Sequence, residues 1–327
     1  MRKIQYVFER IYNKFVSLKF KISVIREKYY RANYVMRDDM VFPNPPKVAI
    51  VVVNFNTKDL IALLLFSIFK NMGTDRVSQI VVVDNNSSDG SRELLRSMHD
   101  ANLITLISNK RQRYHGPALN QAINYLNKWN KTATQPFRYI WLLDSDVVIL
   151  KRNTLDDAIA HMIKTQSAVI GQFQDNGDVD DDYPHISSII IDPYKTWNCA
   201  IHPFLHHGWP SMLYYRDVQE KGMIINDFPF MRSNYMLHIG SGTVNKVYKD
   251  RLSTNDFFKW SIENHHHLFH KNPDGVKIYN KTKDLFENTI GELTTENFVK
   301  KMLSEDVPLG ILEDNIDMCI DPNHEAP

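Results

Sequence analysis

Cysteine is scarce: Cys199 and Cys319 are the two in 327 residues. They lie far apart and form no C-x-x-C pair, which excludes a disulfide framework and a zinc site and makes a reducing compartment the expectation. Long apolar runs are missing too. None approaches the roughly 18 residues that a membrane-crossing helix needs, and the N-terminal residues lack the apolar core of a secretory leader. A cytoplasmic protein is expected. The formal net charge is only +1, and no nucleic-acid partner is expected.

What remains is an ordinary globular composition, 43% hydrophobic and 24% charged, long enough to bury one large core or two. Its charge is unevenly placed. Residues 1–37 hold ten Lys and Arg against Glu9 and Glu27, which leaves 29 basic against 36 acidic residues in the remainder. In the same stretch Ile4, Phe8, Ile11, Phe15, Leu18, Ile22, Ile25 and Tyr29 alternate at spacings of four and three, the period of an amphipathic helix. In a parallel homodimer Lys14, Lys19, Lys21, Arg26 and Lys28 would meet like charge, so the helix is expected to dock on the acidic body or to lie on an anionic membrane surface. Pro43-Asn-Pro-Pro46 then reads as a stiff linker, giving three segments: 1–46 for helix and linker, 47–250 for a catalytic domain divided near residue 150, and 251–327 for a helical C-terminal extension.

From residue 47 strands and helices alternate. Val48–Val53 is a β-branched run followed by an apolar helix from Leu60 to Lys70. Gln79–Val83 ends at Asp84, with a helix from Ser91. A third strand near Leu103–Ile107 precedes the basic loop Lys110-Arg111-Gln-Arg113 and a helix opened by Gly116-Pro117. The fourth strand, Tyr139-Ile-Trp-Leu-Leu, is apolar throughout and ends abruptly in Asp144-Ser-Asp146. The pattern predicts an α/β fold with a doubly wound, mostly parallel sheet, whose ligands bind beyond the carboxyl ends of the strands. Two carboxylates one residue apart at that rim suit a hard divalent cation, Mn²⁺ or Mg²⁺, and its natural partner is a diphosphate. Taken alone, most D-x-D triplets are Asx turns or helix caps.

The blocks Val51-Val-Val-Asn54-Phe-Asn56, Ile80-Val-Val-Val-Asp84-Asn-Asn86-Ser-Ser-Asp89-Gly90, Gly116-Pro-Ala-Leu-Asn120 and Trp141-Leu-Leu-Asp144-Ser-Asp146 resemble, in order and spacing, those of family 2 glycosyltransferases of the GT-A fold. The resemblance covers about residues 47–170. It implies a metal-dependent, inverting transfer of a sugar from a nucleotide-diphospho-sugar, a UDP- or dTDP-sugar, to a hydroxyl of a glycan or other acceptor. Asn54, Asn56, Asp84, Asn86, Arg113 and Asn120 would line the donor site, with Asp84 on the pyrimidine or ribose, and Asp144 and Asp146 would hold the metal on the diphosphate. The loop before the third helix, Arg113-Tyr114-His115-Gly116, departs from the family's N-x-G-F type. A nucleotidylyltransferase would carry a Gly-rich, Arg-Lys signature after the first strand, which Asn54-Phe-Asn-Thr-Lys58 lacks. A non-catalytic carbohydrate-binding or scaffold protein of the same fold is the other alternative.

Beyond residue 170 the signals thin. Ser167–Gly171 and Ile186–Ile191 read as strands, and the acidic stretch 174–182 fails the EF-hand pattern. Trp197 and Trp209 are candidates for an acceptor wall or for plain core. His238, before Gly240-Ser-Gly242, looks like the late His that some GT-A enzymes add as a third metal ligand, and Arg232 is a candidate diphosphate contact. The base is sought between His206 and Asp217: Asp217 first, His207 as alternative, Glu220 behind them. His265–His267 and His270 read as a surface cluster, and Glu313-Asp314 as a chance match to the family's acidic base motif.

Overall fold

The computed structural model describes residues 22, 34–36, 40–173, 183–205, 211–239 and 275–316. The expected N-terminal helix therefore falls mostly outside the described residues, as do the acidic stretch, His207, Trp209 and the His265–His270 cluster.

Three βα units open the fold. They are β1 (Val48–Asn54) with α1 (Lys58–Ser67), β2 (Val77–Asp84) with α2 (Ser91–Asp100), and β3 (Thr105–Ser108) with α3 (His115–Asn130). The apolar helix expected as far as Lys70 is α1 continued by a five-residue π turn, Ile68–Met72. Next come β4 (Tyr139–Asp144), β5 (Val147–Ile149), α4 (Thr154–Lys164), β6 (Val169–Phe173), β7 (Pro184–Ile191) and the short α5 (Pro193–Thr196). The described chain closes with α6 (Met212–Glu220), β8 (Ile225–Asp227), β9 (Met236–His238), α7 (Gly275–Ile290), α8 (Thr295–Leu303) and α9 (Ile311–Ile316).

Seven strands form one sheet in the order β3-β2-β1-β4-β7-β6-β8, in which β7 runs against both of its neighbours. Sheets covered on both faces need strands apolar throughout, and β1 shows how they divide. Val48, Ile50 and Val52 face a core shared with α1, α2, α4 and the C-terminal helices, while Ala49 and Val51 face one shared with α3, α6, Trp197 and Tyr34. Each such Val or Ile contributes about 1.5–3 kcal/mol by leaving water. The C-terminal helices join the first core directly: Phe286 meets Phe66 edge-on at 5.4 Å, and Lys70 Nζ donates to the Ser304 carbonyl at 2.5 Å.

The parallel register aligns the carboxyl ends. Asn54 stands opposite Asp84, and Val53 opposite Asp144. The polar rim therefore gathers at one edge of the sheet, as alternating βα topology requires.

Candidate active site

β4 is buried from Tyr139 to Leu143 and surfaces at Asp144, the last residue of the strand. The chain turns through Ser145 and Asp146 and re-enters as β5, which leaves the large sheet and pairs antiparallel with β9, placing Val147 opposite His238. The Ile239 N–H closes the arrangement on the Asp146 carbonyl at 2.9 Å. That pairing carries His238 across 92 residues of sequence to the two carboxylates. His238 Nε2 is 3.4 Å from Asp146 Oδ1 and 3.9 Å from Asp144 Oδ2. One ligand atom from each of the three residues lies within 4.8 Å of the others.

The electrostatics of this group fit a cation. Burial pushes the Asp144 carboxyl above its ordinary range; Asp146 pushes it further, against the pull of His115 and His238. Burial drags the His238 imidazole down, but Asp146 and Asp144 outweigh it and hold it above its usual value. Among the described residues Asp144 Oδ1 and His238 Nδ1 are buried without a hydrogen-bond partner, and a buried carboxylate oxygen left without one is costly. Two oxygens and one imidazole with such a gap suit a divalent ion that keeps positions open for an incoming ligand.

Two imidazoles at this centre carried no sequence assignment. His115, the first residue of α3, places Nε2 3.5 Å from Asp144 Oδ1. His185, near the start of β7, lies against His238 with ring centroids 5.3 Å apart. The Ser187 N–H donates to His185 Nδ1 at 3.2 Å, which leaves the neutral ring's proton on Nε2. The departure of the Arg113–Gly116 loop from the family pattern was the available signal for His115. For His185 there was none, because its neighbour comes from β9.

Several residues expected at the donor are tied into a polar framework at the rim. Asn54 is fully buried, with Nδ2 at 2.9 Å from Ser91 Oγ, 3.1 Å from Ser87 Oγ and 3.3 Å from Asp84 Oδ1. Asp84 is fully buried as well and is held by Arg92 Nε at 2.9 Å and by the Ser87 N–H. From this framework a hydroxyl chain runs through Thr57 to Ser145, 3.0 Å apart, and so reaches the metal turn. Asn56 and Asn86 adopt left-handed backbone at φ 57 and φ 73 and are half-buried at the rim. Asn56 Oδ1 accepts from the Ser88 N–H at 2.7 Å, and Asn86 Oδ1 from Arg92 at 3.0 Å. Arg113 is exposed, and its backbone is clamped by the Asn85 amide, which accepts from Arg113 N–H at 2.7 Å and donates to Arg113 O.

Asn120 has its amide buried in α3, where it donates to Phe204 O at 2.8 Å and accepts from Phe204 N at 3.0 Å and so fastens the 202–205 segment. The Arg232 guanidinium pairs with Asp227. Asp217, only 6% exposed in α6, accepts from His202 N at 2.6 Å and from His202 Nδ1 at 2.5 Å. These two short bonds clamp the carboxylate to the 202–205 segment. Trp197 is fully buried, with Nε1 donating to Asn124 Oδ1 at 2.9 Å, and is core rather than acceptor wall. Glu313 and Asp314 are engaged by Arg152.

The family model for Glycosyl transferase family 2 matches residues 49–229, more than half of the chain. No curated protein matches it. Among solved structures, S. aureus TarS 1-349 in complex with UDP-GlcNAc is 14% identical, with a TM-score of 0.45 over 86% of this chain and 98% of that one. The mannosyltransferase PcManGT from Pyrobaculum calidifontis in complex with GDP-Man and Mn²⁺ is 15% identical, TM-score 0.42, over 91% and 92%. Glucosyl-3-phosphoglycerate synthase from Mycobacterium tuberculosis, in complex with Mn²⁺, UDP and glucosyl-3-phosphoglycerate, is 13% identical, TM-score 0.43, over 60% and 76%.

Proposed function

The chain belongs to glycosyl transferase family 2, and from that premise we propose that it moves a sugar from a UDP- or dTDP-sugar to an acceptor hydroxyl in a metal-dependent, inverting displacement. The observation that carries this reading is the convergence of Asp144, Asp146 and His238 at the carboxyl edge of the sheet, with a buried oxygen of Asp144 left unpartnered.

In this reading Asp144, Asp146 and His238 hold the cation, with the imidazole biasing the choice toward Mn²⁺ over Mg²⁺. When bound, a divalent ion supplies Lewis-acid stabilisation of the leaving diphosphate. The Thr57–Ser145 hydroxyl contact and the β5–β9 pairing keep the two carboxylates in place, so little reorganisation is needed as charge develops. Half-buried Asn56 and Asn86 and exposed Arg113 form the rim that a donor meets. On the acceptor side, a base takes the hydroxyl proton as the new oxygen–carbon bond forms and the bond to the diphosphate breaks. The candidates for it are Asp217, His207 and Glu220; of these, Asp217 is held by His202 and Glu220 lies near Arg216, 3.5 Å away.

The basic residues 1–37 add a second proposed partner, an anionic membrane surface. Support comes from their charge and 4-3 apolar spacing. Binding to anionic vesicles that is lost in high salt is expected, and equal binding to neutral vesicles would contradict it. No helix among the described residues is long and apolar enough to cross a membrane.

The transferase reading is tested by screening UDP-, dTDP- and GDP-sugars for thermal stabilisation in Mn²⁺ and in EDTA, followed by a donor-hydrolysis assay. Metal-dependent stabilisation by one nucleotide class, with turnover, is expected. Equal nucleotide affinity in Mn²⁺ and EDTA would remove the metal from the mechanism.

A further inference from the structure

Asp144 lies between two imidazoles that differ in access. On the inner side the side chains of His238 and Asp146 keep 4% and 7% exposure. On the outer side exposure rises to 21% at Asp144 and 34% at His115. A ligand bound at the metal centre enters from the outer side, and there it meets His115 together with Asp144.

The separation of His115 Nε2 from Asp144 Oδ1, 3.5 Å, is too long for a hydrogen bond. Among the described residues Asp144 Oδ1 has no hydrogen-bond partner. The imidazole is therefore held beside the centre without being committed to it. Its position is built in from both sides. The Asn85 amide pins the Arg113 backbone two residues earlier. One residue later Gly116 packs so closely on the Leu205 carbonyl that a Cβ would overlap it, and Asn120 holds Phe204 behind. Among the described residues no side chain caps α3, a helix of 16 residues, so the positive end of its dipole faces the same opening.

We propose that His115 is a donor-positioning residue, giving an Nε2–H hydrogen bond to the diphosphate of the nucleotide-sugar on the face opposite the buried ligands. The assignment rests on the transferase reading and adds to it a contact that neither the D-x-D motif nor the basic loop supplies. It needs no change of protonation, because a neutral imidazole with its proton on Nε2 already has the donor.

The test is calorimetric titration of UDP, dTDP and GDP, each with Mn²⁺, into the full chain, carrying forward the nucleotide that the wild type binds best. His115→Ala is expected to weaken that affinity about tenfold, the scale of one charge-assisted hydrogen bond. His115→Gln, which keeps an N–H donor, is expected to recover most of the loss. Mn²⁺ affinity without nucleotide, followed by electron paramagnetic resonance, stays at the wild-type value in both. Unchanged nucleotide affinity in His115→Ala would overturn the proposal, and so would an equal loss of Mn²⁺ affinity, which would make His115 a metal ligand instead. A wild type that binds none of the three nucleotides in Mn²⁺ would instead overturn the transferase reading, and this assignment with it.

Discussion

Replacing Asp146 by Asn separates what the metal centre does from what holds the fold. The residue is 5% exposed, and its backbone is fixed independently of its charge by the Ile239 N–H to Asp146 O bond of 2.9 Å. An isosteric amide therefore keeps the turn. Without metal, two opposed electrostatic effects change together: repulsion between Asp146 and Asp144 disappears, and so does the attraction between Asp146 and His238. Because the two oppose each other, the loss of stability in EDTA is expected to stay below the ~3–5 kcal/mol of a simple broken buried pair. With metal the two proteins diverge. A ligand at about 100 times its Kd stabilises the folded state by about 2.7 kcal/mol, which for a chain of this size raises Tm by roughly 5 °C. Wild type should show this rise on moving from EDTA to Mn²⁺ plus the cognate nucleoside diphosphate, and Asp146→Asn should show almost none. Differential scanning calorimetry of both proteins in both buffers gives the four numbers needed. An Asp146→Asn variant whose Tm rises as far as the wild type's would refute the assignment of this carboxylate to the metal.

Asp84→Asn makes the converse case. It removes the partner of Arg92 inside the framework and should cost about 2 kcal/mol, less than the ~3–5 kcal/mol of a fully enclosed pair because Arg92 is 26% exposed, while the Mn²⁺-dependent rise in Tm persists. Asn120→Ala leaves the N–H and C=O of Phe204 unpaired and should cost roughly 2–5 kcal/mol; a nucleotide affinity at 20 °C equal to wild type checks that its role is to fasten the 202–205 segment. Asp217→Asn should lower turnover by less than about tenfold, as fits a clamp, whereas His207→Ala should lower it by about 10² or more at unchanged donor affinity. Tyr34 packs edge-on against Tyr194 at 5.4 Å and donates to the Ile123 carbonyl at 3.2 Å, so Tyr34→Ala should cost about 3–5 kcal/mol, and a chain starting at Tyr34 should melt well above one starting at Val41.

The sequence alone determined the sheet and one side of the metal centre, because both are written in short-range pattern. A β-branched run such as Val48–Val53 has few alternatives to a buried strand, and an apolar strand broken by Asp144-Ser-Asp146 can only surface its carboxylates where the strand ends. The tertiary structure decided which polar groups face a ligand. Asn54, Asp84 and Asn120 read like donor contacts in one dimension, and the fold ties Asn54 to Asp84 30 residues on, Asp84 to Arg92 eight residues on, and Asn120 to Phe204 84 residues on. Asp217 likewise meets His202 only because α6 forms beside the 202–205 segment. His238 was placed correctly beside Asp146, but what brings it there is the β5–β9 pairing, a long-range register that no local propensity encodes. His185 was invisible as a site residue for the same physical reason, and the loop departure marked His115 only in part: an imidazole says little until packing supplies the carboxylate or ring it stands against.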